Sequence, residues 1–205
     1  EMGVSPLNYD LPASFSDFVI SAFAEKIADK YEQVIWGGVN GNAGEFDGFC
    51  PLLLADGGVD VAATPVTAAN VIAELQKVTA AIPAAIYNKE DLHIYVGSAI
   101  YRFYVQALGV VGAGSGIENK GTLWFNGVPL TVDGVKIFYS PGMPANSMVA
   151  STVDNLFFGC GLKSDFNEIR LIDMAEIDGS QNVRFIQRWK AGINYGIRED
   201  IILYQ

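Results

Sequence analysis

The stretch Ser14–Gly38, SFSDFVISAFAEKIADKYEQVIWGG, decides the fold because it predicts one long amphipathic helix. Its apolar residues recur at steps of three and four, which places them on one stripe of a helix. These residues are Phe15, Phe18, Val19, Ala22, Phe23, Ile27, Tyr31, Val34 and Ile35. Ser14, with Asp17 three residues later, is expected to cap the start as a capping-box variant, and Gly37 and Gly38 are expected to end the helix with positive φ angles. Such a helix is about 33 Å long, so we expect the rest of the chain to cover its stripe.

Composition narrows the classes of function open to the 205 residues. Charged residues make up 18% and hydrophobic residues 50%, with a mean hydropathy of +0.25. This composition is typical either of a Gly- and Ala-rich β protein with a large core or of a subunit whose faces are buried in an assembly. The formal net charge of −10 argues against a nucleic-acid-binding face, since phosphate contacts need clustered lysine and arginine. No uncharged run is long enough to span a membrane. Cys50 and Cys160 are far apart, and each is expected to be a buried thiol.

Helix, strand and loop signals alternate in the middle of the chain. Residues 37–49, GGVNGNAGEFDGF, predict either a flexible connector or a hinge between two lobes. A second helix is predicted from Thr67 to Pro83, a buried strand at Leu92–Val96 and a third helix at Ser98–Leu108. The glycine-dense residues 109–121, GVVGAGSGIENKG, are expected to form a loop.

Antiparallel strands are predicted for the second half of the chain. Asn126–Gly127 and Asp133–Gly134 each separate β-rich runs, which indicates two hairpins and a three-strand meander. Ser147–Val153 is expected to pair with Leu156–Leu162 around an Asx turn. Strands are also predicted in the last forty residues, at Ile169–Met174, Val183–Lys190, Ile193–Ile197 and Ile201–Tyr204.

Reactive residues are sparse. His93 is the one histidine and lies inside a predicted strand, which favours a packed structural role. No metal-ligand spacing and no Ser-His-Asp motif is present, and Gly112-Ala-Gly-Ser-Gly116 departs from the dinucleotide fingerprint. Paired acidic residues such as Glu45 and Asp47 lie in turn-like segments, and a glycosidase-type pair among them stays open. We therefore predict no enzyme activity, no cofactor and no metal.

The order of elements resembles the major capsid protein of tailed phages, the Hong Kong phage-type fold shared with encapsulin shells. The resemblance rests on a long helix followed by a Gly/Asn loop, on a helix–strand–helix segment, and on hairpins before closing strands. The corresponding stretches are FSDFVISAFAEKIADKYEQVIWGGVNG at 15–41, AANVIAELQKV at 68–78, LHIYVGSAIYRFY at 92–104, FNGVPLTVDGVKIFYSPGMP at 125–144, DNLFFGCGLKSDFNEIRLIDM at 154–174 and VRFIQRWKAGINYGIREDIILY at 183–204. Residues 1–13 are an extended lead-in, too short for the family's N-terminal arm and extended loop.

The resemblance implies an α+β fold with a long spine helix, a peripheral lobe of antiparallel sheet and a mixed α/β axial lobe. The peripheral lobe would comprise residues 14–48 and 163–205, and the axial lobe residues 49–162. It also implies a homo-oligomer, made in the bacterial cytoplasm and located in the virion. Pentamers and hexamers of this subunit would enclose DNA without sequence-specific binding and without a membrane.

Two glycine- and proline-rich segments are candidates for the contacts at the ring axis. The candidate residues are Gly109, Gly112, Gly114, Gly116, Pro141, Met143 and Pro144. Two alternatives to the capsid reading remain. An encapsulin-like compartment would have a groove for a cargo peptide on its inner face. A β-rich hydrolase or carbohydrate-binding protein would have a concave pocket with convergent carboxylates or aromatics.

Overall fold

A computed structural model of the chain describes residues 13–114, 130–161, 169–180, 182–187 and 190–205. The lead-in 1–12, Gly116 and the predicted hairpin at Asn126–Gly127 lie outside these ranges. The helices within them are α1 (Ala13–Gly37), α2 (Phe49–Gly57), α3 (Val71–Ala81), α4 (Ser98–Gly114) and α5 (Ala175–Asp178). The strands are β1 (Leu92–Val96), β2 (Thr131–Val132), β3 (Val135–Tyr139), β4 (Met148–Thr152), β5 (Leu156–Cys160), β6 (Ile169–Asp173), β7 (Val183–Gln187), β8 (Ala191–Tyr195) and β9 (Ile202–Tyr204). No helix in the described ranges is both long and apolar enough to cross a membrane.

A five-stranded sheet in the order β2-β3-β1-β4-β9 organises the core. Because successive side chains of a strand point to opposite faces, each strand contributes to both sides of the sheet. Ile94 and Val96 of β1 face a core formed with α3 and α4, whereas Tyr95 faces a second core formed with α1 and α2. Strands β1, β4 and β9 are therefore buried on both faces, which explains why they are nearly continuous hydrophobic runs, whereas Lys136, Phe138 and Tyr139 of β3 are exposed.

The last turn of α1 is held in the second of these cores. Trp36 lies 5.1 Å from the ring of Tyr95 and 5.5 Å from that of Phe49, between centroids. It also shares this core with Ile201 and Leu203, so the predicted contact between the long helix and the final strands is confirmed at this end of the helix.

The start of α1 departs from the prediction. Phe18 is 68% exposed and Phe23 is 45% exposed, so the apolar stripe is not covered along its whole length within the chain. Gly37 and Gly38 do not have the expected positive φ angles. Gly38 is required for another reason, since a Cβ atom there would lie 2.5 Å from the carbonyl oxygen of Phe46.

Several local predictions are confirmed. Helix α3, strand β1 and the start of α4 lie where the periodicity places them, and β6 pairs with β7 in an antiparallel hairpin. Asp133 and Gly134 have φ angles of 48° and 84°, as a type I′ turn between β2 and β3 requires.

Three predictions of local structure are wrong. Strands β4 and β5 do not pair with each other, because the 3₁₀ turn Val153–Asn155 directs them to different partners, β1 and β9 for β4 and β8 for β5. Helix α4 continues through Gly114, so the start of the expected loop 109–121 is helical. Cys160 is exposed on β5, whereas Cys50 is buried as expected.

Candidate functional site

Exposed apolar side chains on the β5–β8 ribbon make it a candidate association surface. In the described part of the chain the ribbon consists of two strands, and a two-stranded sheet is marginally stable alone. Phe157 and Phe158 are adjacent in β5 and therefore point to opposite faces, and they are 54% and 52% exposed. Both faces of the ribbon consequently present aromatic surface to a partner.

Asn155 attaches this ribbon to the central sheet. Its Oδ1 atom accepts hydrogen bonds from the backbone N–H groups of Gly196 at 3.1 Å and Ile197 at 2.7 Å, and its Nδ2 atom donates to the Ile197 carbonyl at 2.8 Å. Tyr195 adds a second attachment by donating its hydroxyl to Asp56 of α2 at 2.7 Å. The ribbon is thus fixed at its base although its faces are exposed.

A groove of about 380 Å³ lies between α1, the loop that follows it and the start of β8. We call it the spine groove. Its lining residues are Ile27, Lys30, Tyr31, Val34, Gly44, Glu45, Phe46, Lys190 and Ala191. Much of the lining is apolar, and its charged groups are two lysines and the Glu45 carboxylate, to which Lys30 is bound.

Glu45 holds the loop on one side of the spine groove. Its carboxylate accepts hydrogen bonds from Lys30 at 2.6 Å, from the side chain of Asn42 at 3.0 Å and from the backbone N–H of Val39 at 3.3 Å. The hydrogen bond from Lys30 and those from Asn42 and Val39 lower the pKa of Glu45 to about 2. The carboxylate therefore stays ionised at neutral pH. Its hydrogen bonds to Lys30, Asn42 and Val39 indicate a structural role.

The proline-rich loop Ser140–Pro144 is packed against α1. Met143 is buried in the core that contains Trp36, and the Ser140 hydroxyl donates to Glu32 of α1 at 2.6 Å. Pro141 is exposed, while the ring of Pro144 lies against Gly37. Of the predicted ring-axis residues in this loop, Pro141 presents its side chain to solvent and Met143 does not.

The glycines of the other predicted segment lie on a different element from this loop. Gly109, Gly112 and Gly114 belong to helix α4, and Gly116 lies outside the described residues. The structure therefore places the two candidate segments on a helix and on a loop that packs against α1, and their role at a ring axis stays a prediction.

The histidine and one of the two cysteines, Cys50, are packed inside the fold. His93 Nδ1 lies 2.8 Å from the carbonyl oxygen of Asp91, and its ring contacts those of Tyr95 and Phe138. Burial raises the pKa of the Cys50 thiol to about 12, which keeps it protonated. Among the described residues, no three His, Cys, Asp or Glu side chains are grouped to hold a metal ion.

Similarity to solved structures extends over nearly the whole chain. A chain of the satellite phage P4 procapsid, a structure that includes the size determination protein Sid, matches with a TM-score of 0.59 and 11% identity, over 95% of this chain and 64% of that chain. The chain has a capsid-like fold. A chain from Mycobacterium phage Che8 matches with a TM-score of 0.55 and 10% identity, over 93% of this chain and 62% of that chain. A virus-like particle from Pyrococcus furiosus gives a TM-score of 0.49 and 14% identity, over 88% and 63%.

The capsid-like fold is a finding about structure alone at these identities. No family model matches the sequence, and no curated protein matches it. The chain spans less than two thirds of the length of the three chains it matches, with shares of 64%, 62% and 63%. What those particles do therefore supports a function of this chain only as a proposal.

Sequence reasoning missed the residues that shape the surfaces of this capsid-like fold. Asn155 has the signature of a turn residue, and nothing local indicates that it binds the segment at 196–197. Arg198 donates to Gly58 at 3.1 Å, Asp60 at 3.0 Å and Ile201 at 2.8 Å, which ties the loop after α2 to the last strand. Both residues act between segments that are distant in sequence, where no short-range pattern exists.

Proposed function

We propose that this chain is the major capsid protein of a tailed phage or prophage, a structural shell subunit without enzyme activity. The observation that carries the proposal is the capsid-like fold, which the procapsid chain shares over 95% of this chain. Many copies would associate into pentamers and hexamers and enclose DNA without reading its sequence. In this proposal the peripheral lobe comprises residues 14–48 and 163–205, and the axial lobe residues 49–162.

The exposed apolar surface supports association of many copies. Phe18 on α1 and Phe157 and Phe158 on the β5–β8 ribbon lie on elements of different parts of the chain. Burial of these side chains between copies would remove their apolar surface from water and would favour association. Contacts between different patches of identical subunits generate a ring when the rotation that relates neighbouring copies returns to the first copy. A shell of pentamers and hexamers is built from such rings.

Electron microscopy of the full-length gene product that contains this chain tests the proposal. We expect closed particles, together with pentamers or hexamers as smaller species. Particles purified from the organism that encodes the protein should contain DNA that resists added nuclease. Particles that enclose protein cargo and no DNA would instead support the encapsulin-like alternative, and a strictly monomeric product would contradict both.

A substitution at Phe18 tests whether the exposed part of α1 takes part in a subunit contact. Phe18→Asp should leave unfolding within about 1 kcal/mol of the wild type, because substitutions at exposed positions change stability little. It should reduce the yield of particles, since a charge replaces apolar contact area. Phe18→Leu is the matched control and should assemble normally. If Phe18→Asp assembles like Phe18→Leu, the start of α1 is not part of a subunit contact.

A further inference from the structure

The connector between α1 and α2 begins with a β-turn at residues 39–42. The backbone N–H of Asn42 donates to the Val39 carbonyl at 3.2 Å, which makes Asn40 and Gly41 the two central residues of the turn. Gly41 has a φ angle of 111°, in the region that favours glycine. Both central residues are exposed. The turn therefore presents an Asn-Gly pair to solvent.

The side-chain amide of Asn40 is not held by the fold, unlike the amides of two other asparagines near it in the sequence. The backbone N–H of Asn40 donates to Asp47 at 2.8 Å, but its side chain makes no hydrogen bond with any residue that the structure describes. In the same loop, Nδ2 of Asn42 donates to Glu45 at 3.0 Å. Nδ2 of Asn70 donates to a backbone carbonyl, also at 3.0 Å. The amide of Asn40 is therefore free to turn toward the main chain.

The backbone nitrogen of Gly41 is the group that this amide can meet. Its N–H has no acceptor among the described residues. The space around Gly41 is open, since a Cβ atom built there would have no neighbour within 4 Å. Glycine also has no side chain of its own to hinder a close approach to its nitrogen. A bond from this nitrogen to Cγ of Asn40 would close a five-membered ring.

We propose that Asn40 is a site of spontaneous deamidation through a cyclic imide. The Gly41 nitrogen attacks Cγ of Asn40, so the N–Cγ bond forms and the Cγ–Nδ2 bond breaks. Nδ2 leaves as ammonia and takes with it the proton of the Gly41 nitrogen. Water then opens the imide at one of its two carbonyl groups, which gives aspartate or isoaspartate at position 40. Water is the only other reactant, and nothing is oxidised or reduced.

Either product changes the charge of the loop. It adds one negative charge to a chain whose formal net charge is already −10. The new carboxylate belongs to the residue whose backbone N–H binds Asp47, so like charges are brought together in the loop. Isoaspartate also adds one methylene group to the main chain at this position. The chemistry is independent of the proposed shell function and requires only that the loop is in contact with water.

Mass spectrometry of aged protein tests the proposal. The folded full-length gene product is incubated in heavy-oxygen water at mildly alkaline pH and is then digested with trypsin in ordinary water. Cleavage after Lys30 and Lys77 gives one peptide that contains Asn40, Asn42 and Asn70. We expect heavy oxygen at position 40 to exceed that at 42 and 70 by about tenfold, because position 40 alone is followed by glycine. Asn40→Gln is the matched control and should stay unlabelled, since its imide would need a six-membered ring.

The same protein unfolded in urea controls for the chemistry of the Asn-Gly pair itself. Label at position 40 in the unfolded protein but not in the folded protein would overturn the proposal, because the fold would then block the reaction. Equal label at Asn40 and Asn42 in the folded protein would also overturn it. The second Asn-Gly pair, Asn126–Gly127, lies in a different tryptic peptide, so its reaction is measured separately. None of these outcomes bears on the shell function, which microscopy tests.

Discussion

Gly142 is the point at which the proline-rich loop touches α1. A Cβ atom at this position would overlap the backbone carbonyl group of Glu32 and approach the backbone N atom of Gln33. These neighbours are backbone atoms of a helix and cannot move aside as a flexible side chain would. The glycine therefore permits Met143 to reach the core beside Trp36.

Gly142→Ala should destabilise the protein by about 1–3 kcal/mol, because the added methyl group forces the loop away from the helix. Urea unfolding measures this loss. Gly109→Ala is the matched control, since Gly109 lies in helix α4 with open space around its Cα hydrogens. That variant should instead gain about 0.5–1 kcal/mol from helix propensity. Equal effects of both substitutions would contradict the packing of the loop on α1.

Glu74 connects the last strand to helix α3 in the interior. Its carboxylate accepts a hydrogen bond from the Tyr204 hydroxyl at 2.8 Å and two from Lys77 at 2.7 and 2.9 Å. Burial alone would raise the pKa of Glu74, but hydrogen bonds from Lys77, Thr64 and Tyr204 outweigh it and lower the pKa below 4.5. Burial and the hydrogen bond to Glu74 raise the pKa of Tyr204.

The lowered pKa of Glu74 makes stability depend on pH in a stated direction. The unfolded chain binds the Glu74 proton more tightly than the folded protein does. The stability that the ionised Glu74 carboxylate contributes is therefore fully present above pH 4.5, and it is lost as the pH falls through the pKa of Glu74 in the folded protein. Glu74→Gln should cost about 1–3 kcal/mol at neutral pH, and the loss should shrink in acid. Urea midpoints for both proteins from about pH 7 to pH 3 measure this. A loss that is constant with pH would contradict the assignment.

At the scale of the element, α1 changes from exposed to buried along its length. Val34 and Trp36 in its last turn are 4% and 5% exposed, whereas Phe18 near its start is not buried. The expectation that the rest of the chain covers Phe23 is therefore wrong. The apolar periodicity of α1 predicts that its stripe is covered. The covering surface can come from the same chain or from another subunit.

Two side chains, Asn155 and Tyr195, attach the β5–β8 ribbon at its base. Asn155→Ala should destabilise the protein by about 1–3 kcal/mol, because the Ile197 N–H group loses its acceptor and the Ile197 carbonyl loses a donor, whereas the Gly196 N–H group keeps the backbone carbonyl of Asn155. Asn155→Asp retains the acceptor and loses the donor, so its effect should be smaller. Hydrogen exchange at residues 196 and 197 measures the local opening. Unchanged protection in Asn155→Ala would show that the ribbon is held by other contacts.

At the scale of the whole molecule, negative charge opposes association. Each copy carries a formal charge of −10, so identical subunits repel one another at long range. Salt screens this repulsion while leaving apolar contacts intact, and the Debye length falls from about 30 Å at 0.01 M to about 10 Å at 0.1 M. Light scattering of the full-length gene product should therefore rise with ionic strength over this range. Scattering that does not change would indicate that charge has no part in the assembly barrier.

Pairing of the strands shows how far the sequence predicts the fold. The Asp133–Gly134 turn fixes its own hairpin, because positive φ at both positions leaves the chain few alternatives. The same reasoning fails at Asp154–Asn155, where the Asx signal is present and the flanking strands nevertheless separate. There the side chain of Asn155 binds residues 196 and 197, and no local pattern could reveal a partner some forty residues away.

The sequence by itself determined the helix α3, the start of α4, the strand β1 and the hairpins at Asp133–Gly134 and β6–β7, because apolar periodicity and turn chemistry act over a few residues. Only the tertiary structure decided that β1 lies between β3 and β4, that β9 returns to β4, and that the start of α1 remains exposed. Those outcomes depend on which faces of segments distant in sequence pack together, and such contacts produce no short-range pattern in the sequence.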